Sequence, residues 1–165
     1  MNDRTLLEII AESLNEIRLS SELSEIGGKD TLTYYFDEDA PLAPRDCSIS
    51  VTHFENESVA LQILISVFYE IDDELKPHIE RLLKPLNSLL SIGCFCLMPE
   101  GYLYLKDAFL IDDMAEEELL ISLAVDLELL TATAARSREL LLPLVNGEIS
   151  PNEIEEDAFC ISQLS

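Results

Sequence analysis

Cys94-x-Cys96 is the pair whose residue type and spacing first suggest chemistry in this chain. On a strand, alternation puts both sulfurs on one face, and two rises of about 3.3 Å set the Cα atoms about 6.6 Å apart, near the upper limit for a disulfide. A metal ion would want two more ligands, and His53, His78, Cys47 and Cys160 fall in separate elements without zinc-like spacing. The pair therefore reads as two small buried hydrophobes beneath a helix, with no metal and no cofactor expected. Neither histidine has a nucleophile motif beside it. Gly-x-Ser-x-Gly, a phosphate-cradling glycine loop and His-Glu-x-x-His are all missing from the sequence. Asp112-Asp113, Glu116 to Glu118 and Glu155 to Asp157 lack calcium-loop spacing and read as helix starts and solvated surface. The expectation is a protein without catalytic residues.

Aromatic residues form the other candidate. Tyr34, Phe36, Phe54, Phe68 and Tyr102 could line an exposed apolar groove or sheet face to which a partner strand or helix adds, a recurrent mode of recognition. The same residue types also fill cores, so their value depends on the elements that carry them.

The stretch from Ser91 to Val125 organises those elements. Phe95 and Leu97 alternate with Cys94 and Cys96, then Pro99-Glu100-Gly101 supplies a turn, with glycine free to take positive φ. Tyr102, Tyr104 and Lys106 alternate with Leu103, Leu105 and Asp107, which predicts a second strand running to about Ile111. Asp112 and Asp113 precede a third helix as acceptors for its first amides, with Glu116 to Glu118 at the positive end of its dipole. Leu119, Leu120, Leu123, Leu127 and Leu130 make a helical stripe that Ile121, Val125 and Leu129 widen. One face is expected to cover a sheet, and the breadth of the stripe is expected to reflect deep burial or contact with a second copy.

Upstream, Leu6, Ile10, Leu14 and Ile17 predict an amphipathic helix from Thr5 to Ile26, stopped by Gly27-Gly28. Strands follow over Thr31 to Phe36, Cys47 to Phe54 and Val59 to Ile71, with a proline-containing loop between the first two. The last puts Leu61, Ile63, Ile65, Val67 and Tyr69 on one face. Asp72-Asp73 then opens a second helix in which Pro85 predicts a kink or a break into two short helices. Beyond the third helix, Ser150-Pro151-Asn152-Glu153 has capping-box spacing and predicts a short acidic helix near Asn152 to Phe159.

Composition sets the outer limits. At 165 residues the chain has room for one domain with its own core, and 48% apolar residues remove it from the disordered class. Its 33 acids against 10 bases give a formal charge of −23, which repels nucleic acid and anionic membrane alike. The N-terminus is amphipathic and acid-containing, unlike a signal peptide, so a cytoplasmic location is expected. No run reaches the roughly 18 apolar residues of a membrane span.

The element order α-β-β-β-α-β-β-α, together with the acidic balance, resembles the class I type III secretion chaperones and the YbjN-like family. The block Leu86-Asn87-Ser88-Leu89-Leu90-Ser91-Ile92-Gly93-Cys94-Phe95-Cys96-Leu97, then Pro99-Glu100-Gly101 and Tyr102-Leu103-Tyr104-Leu105, carries the likeness in residue detail. It is similar to a passage common to both groups: a leucine-asparagine helix, a glycine, a short strand, an acidic-glycine turn and a strand. At Phe109-Leu110-Ile111-Asp112 those families carry a leucine-proline-leucine type strand end, and here there is no proline. The resemblance implies an α/β sandwich, usually a homodimer, that holds a polypeptide partner. The expectation is thus an α+β fold with helices on a mostly antiparallel five-stranded sheet. It comprises a chaperone-like domain over residues 1–145 and an acidic tail over residues 146–165. The alternative is a self-associating structural or regulatory domain without a client.

Overall fold

The computed structural model describes residues 2–16, 21–36 and 42–151. The predicted tail helix near Asn152 to Phe159, and Cys160, lie outside the described residues. In chain order the elements are α1 (Asp3–Glu16), β1 (Ser21–Ile26), β2 (Lys29–Tyr35), β3 (Asp46–His53), β4 (Val59–Phe68), α2 (Lys76–Leu89), β5 (Cys94–Leu97), β6 (Leu103–Leu110) and α3 (Glu116–Val145). The fold is α+β, and the strands form a six-stranded sheet in the order β1-β2-β3-β4-β6-β5, every neighbouring pair antiparallel.

The sixth strand is β1, which occupies the last six residues of the expected first helix. Asn2 Oδ1 accepts the Thr5 amide at 2.7 Å and starts α1. Farther on, Ser21 to Ile26 pairs with Tyr34 back to Lys29 across the two-residue turn Gly27-Gly28. Both glycines have positive φ, +61° and +80°, as a tight hairpin turn whose twist matches its strands requires. The glycine pair is therefore a hairpin turn and not a helix stop.

Pairing register sorts the strand residues into two faces. One carries Leu32, Ile49 and Ile63 in a row, then Tyr34, Cys47, Ile65, Leu105 and Phe95 in the next, all of them buried. The helices lie on this face: α1 against β1 to β3, α3 against β4, and α2 against β5. Leu7 and Ile10 from α1, Ile79 and Leu86 from α2, and Leu119, Leu123, Leu127 and Leu130 from α3 complete one core. Burial of this apolar area, worth about 25 cal/mol per Å², is the main force holding the layers together.

Two irregularities change which side chains face in. The β4–β6 ladder shifts register between Ser66 and Phe68, so Val67 and Phe68 are both buried in succession. At that step the Val67 carbonyl accepts from Arg138 Nη1 of α3 at 2.6 Å, and the guanidinium lies 4.8 Å from the Phe68 ring centroid. Tyr69, expected to share a face with Leu61, Ile63, Ile65 and Val67, consequently emerges on the other side as an exposed residue. The second is Asp112, whose carboxylate accepts the Val59 amide at 2.8 Å and closes the end of the β4–β6 ladder. It does not cap α3, whose N-cap position is Ala115 with no side-chain hydrogen bond. The acids Glu116 to Glu118 do occupy the first turn, as expected from the helix dipole.

Prolines are absorbed more easily than their helix cost suggests. α2 is one helix with Pro85 inside it and not two short ones, and α3 runs on through Pro143 to Val145. Pro85 sits on the exposed side of α2, where its ring does not disturb the core.

Candidate functional site

None of the described helices covers the second face of the sheet. Its rows are Thr31, Ser50, Gln62 and Ala108, then Thr33, Ser48, Leu64, Lys106 and Cys94, then Asp46, Ser66, Tyr104 and Cys96. The β2, β3 and β4 members of these rows, with Tyr104, Tyr35, Tyr69 and Ile26, line a shallow cavity of about 490 Å³. Hydroxyls dominate its middle. Thr33 Oγ1 and Ser48 Oγ are 3.3 Å apart, and Thr52 Oγ1 donates to Gln62 Oε1 at 3.4 Å. Leu64 is the large apolar residue at its centre, half-buried among these polar neighbours.

A tyrosine cluster closes one end. Tyr69 and Tyr102 meet edge to face with centroids 5.8 Å apart, and Tyr102 and Tyr104 lie 6.2 Å apart. Asp46 anchors the cluster by accepting hydrogen bonds from Ser66 Oγ at 2.5 Å and from the Tyr69 hydroxyl. Partial burial and the hydrogen bond to Asp46 raise the Tyr69 pKa, so the phenol stays a donor. Tyr104 is raised too, by desolvation first and then by the Asp46 charge. Beside the cluster, Arg45, Phe68, Tyr69, Glu70, Tyr102 and Arg138 line a second cavity of about 520 Å³. Partial burial, and then the nearby Arg45 charge, lower the Arg138 pKa. Two guanidiniums thus meet at one mouth of a strongly acidic protein.

The five aromatics singled out from the sequence divide between core and surface. Tyr34 and Phe68 are buried, and burial drives the Tyr34 phenol pKa far upward, with Cys47 beside it. Phe36 packs edge to face on Tyr34 with centroids 5.6 Å apart. Phe54 is exposed just beyond β3, at the end of the sheet where His53 pairs with Val59. Tyr102 is exposed at the opposite end, next to the Leu103–Phe68 pair. The structure therefore brings Tyr102 together with Tyr69 and Tyr104 on the open side, and leaves Phe54 apart.

The cysteines are also placed differently from expectation. Cys94 is exposed and Cys96 half-buried, on the open face and not beneath a helix, with their sulfurs 3.9 Å apart. Of the described cysteines Cys47 is the buried one, its thiol pushed up to about 12 by desolvation. His53 Nε2 lies 2.9 Å from Asp3 Oδ1, tying β3 to the start of α1, and His78 Nδ1 lies 3.0 Å from an Arg81 Nη2. Among the described residues no three His, Cys, Asp or Glu side chains gather as a metal site, and no helix is long and apolar enough to cross a membrane.

A further apolar surface lies on α3. Ile121, Val125 and Leu129, four residues apart, are 60%, 52% and 50% exposed. They form a second stripe on the side away from the sheet, so the breadth of the apolar pattern in this helix is not deep burial alone.

Comparison with known proteins finds a likeness to a solved structure. The chain is similar to the type III secretion chaperone SycH of Yersinia pestis, solved in complex with a stable fragment of YscM2. The match has 15% sequence identity and a TM-score of 0.33, and covers 73% of this chain and 94% of that one. No family model and no curated protein matches the chain.

Proposed function

We propose that this protein is a non-catalytic, chaperone-like binding module, folded as one unit over residues 1–145, that holds a polypeptide partner on the open face of its sheet. The observation that carries this reading is a sheet with helices on one face and, on the other, a surface of hydroxyls, Gln62, Leu64 and clustered tyrosines. Tyrosine offers large contact area and a hydrogen bond at low entropic cost, and hydroxyls and amides adapt to a partner's backbone. A net charge of −23 selects a basic or amphipathic segment and speeds its encounter. The protein would work in the cytoplasm.

The test is capture from the native host with mass spectrometry and cross-linking, beside a Leu64→Lys variant. The expected result is one basic or amphipathic polypeptide at fixed ratio, cross-linked to the open face, with recovery by the variant at least tenfold lower at unchanged thermal stability. Equal recovery by both proteins would remove the open face as the binding surface.

A second reading is favoured by the exposed stripe Ile121, Val125 and Leu129 of α3. These residues would pair two copies of the chain, leaving the sheet face clear in the dimer. Light scattering decides this: a dimer that Val125→Glu converts to monomer supports it, and a wild-type monomer sinks it.

A further inference from the structure

We infer that the exposed stripe of α3 pairs with a second copy of this chain in an antiparallel register centred on Leu127, closed at each end by an ion pair between Glu118 of one copy and Arg136 of the other. This rests on the reading that two copies meet through α3, and it adds how they meet.

The stripe is longer than its three large residues. Glu118, Ile121, Val125, Leu129, Ala132 and Arg136 follow one another at spacings of three and four, the repeat that keeps one side of a helix in line, and all six are exposed. An apolar seam thus has an acid at its N-terminal end and a base at its C-terminal end. Leu127 is the midpoint of Val125 and Leu129, and it is also the midpoint of Glu118 and Arg136. A two-fold axis crossing the seam there turns the patch onto itself, as an interface between identical copies requires. Val125 then meets Leu129 of the second copy, and Glu118 meets its Arg136. Ile121 lies beside the small Ala132, which leaves room for the two helices to interlock.

Charge decides the direction. The bases of α3 are Arg136 and Arg138. Arg138 turns toward the sheet, donating to the Val67 carbonyl and lying against the Phe68 ring, whereas Arg136 is exposed. Among the described residues neither Arg136 nor Glu118 enters an ion pair within the chain. Acids outnumber bases 33 to 10, so an exposed guanidinium without a carboxylate is the exception here, and it lies on the apolar stripe. A parallel pair in register sets Glu118 against Glu118 and Arg136 against Arg136, and aligns the two helix dipoles. The antiparallel pair turns both repulsions into attractions and opposes the dipoles.

The experiment is charge exchange on the full-length protein, read by analytical ultracentrifugation. Arg136→Glu and Glu118→Arg are each expected to raise the dimer dissociation constant at least about tenfold, and the double variant to return it to within about threefold of wild type. Far-ultraviolet circular dichroism should be the same for all four proteins, as both positions are exposed. Direction has its own readout. Copies carrying Val125→Cys are mixed with copies carrying Leu129→Cys and oxidised, and mass spectrometry should find the mixed disulfide in excess over either homodisulfide. A wild-type monomer overturns the register together with the reading it rests on. A dimer that the single reversals leave unchanged, that the double variant does not restore, or in which the Val125→Cys copy links chiefly to itself overturns the register alone.

Discussion

Asn87 shows how one side chain can finish an edge. The outer side of β5 would present the Phe95 amide and carbonyl without strand partners, and the Asn87 carboxamide supplies an acceptor at 2.7 Å and a donor at 3.0 Å. Asn87→Ala removes both at a half-buried position. We expect a loss of about 1–3 kcal/mol, measured by urea unfolding; an unchanged midpoint would mean that water replaces the carboxamide freely. Gly101 sets the neighbouring turn. It has φ +95°, and a Cβ placed there would lie 2.7 Å from the Ile71 carbonyl oxygen and 3.0 Å from its nitrogen. Ile71 also donates its amide to the Gly101 carbonyl at 3.0 Å, so backbone stands on both sides and cannot give way cheaply. Gly101→Ala should cost about 2 kcal/mol or more, and a thermal midpoint within 1 °C of wild type would contradict the close approach. The turn itself was legible from Pro99-Glu100-Gly101, as was the shared face of Cys94 and Cys96. Which side the helices cover was not, because a period of two says which residues point together and nothing about what lies beneath them.

Elements were readable where their pattern was long and unreadable where it was short. The hairpin of β5 and β6, the strands β3 and β4 and the helices α2 and α3 follow from sustained alternation or helical spacing. Ser21 to Ile26 did not: its serines, glutamates and leucine suit a helix surface as well as an edge strand, and Gly27-Gly28 can end the one or turn the other. Only pairing with β2 decides, and that contact is nonlocal. The bulge at Ser66 to Phe68 hid in the same way, moving Phe68 inward and Tyr69 outward and so dispersing the aromatic set read from the sequence. In α3 the apolar residues separate into two stripes with opposite roles. Leu123, 2% exposed against β4, should not tolerate charge: Leu123→Asp is expected to cost more than about 4 kcal/mol, seen as loss of the cooperative unfolding transition. Val125, 52% exposed, should accept the same change within about 1 kcal/mol of monomer stability. If the two variants behave alike, α3 is rotated about its axis from the orientation described.

At the scale of the molecule, charge is the dominant unbalanced quantity. Partial burial and then the charge of Asp107 on β6 raise the pKa of Asp126 on α3. A carboxyl with a raised folded-state pKa weakens the fold above that pKa, where it is ionised in both states, and the penalty fades as pH falls toward the unfolded value. Asp126→Asn should therefore raise the thermal midpoint slightly at pH 7, by about 1–2 °C, with the gain shrinking toward pH 4. A gain that grows on acidification would reverse the assignment. The same repulsion summed over a net charge of −23 sets the response of the whole protein to salt. Described ion pairs such as Arg4 with Asp30 at 3.2 Å and Lys76 with Asp73 at 2.5 Å engage few of the acids, so screening removes more repulsion than attraction. Raising NaCl from about 10 to 150 mM shortens the Debye length from about 30 to 8 Å. It should lift the thermal midpoint by several degrees while weakening any basic client held on the open face. Opposite signs for stability and binding are the signature of a field that opposes the fold and recruits the partner; if both fall with salt, specific ion pairs and not net charge govern the molecule.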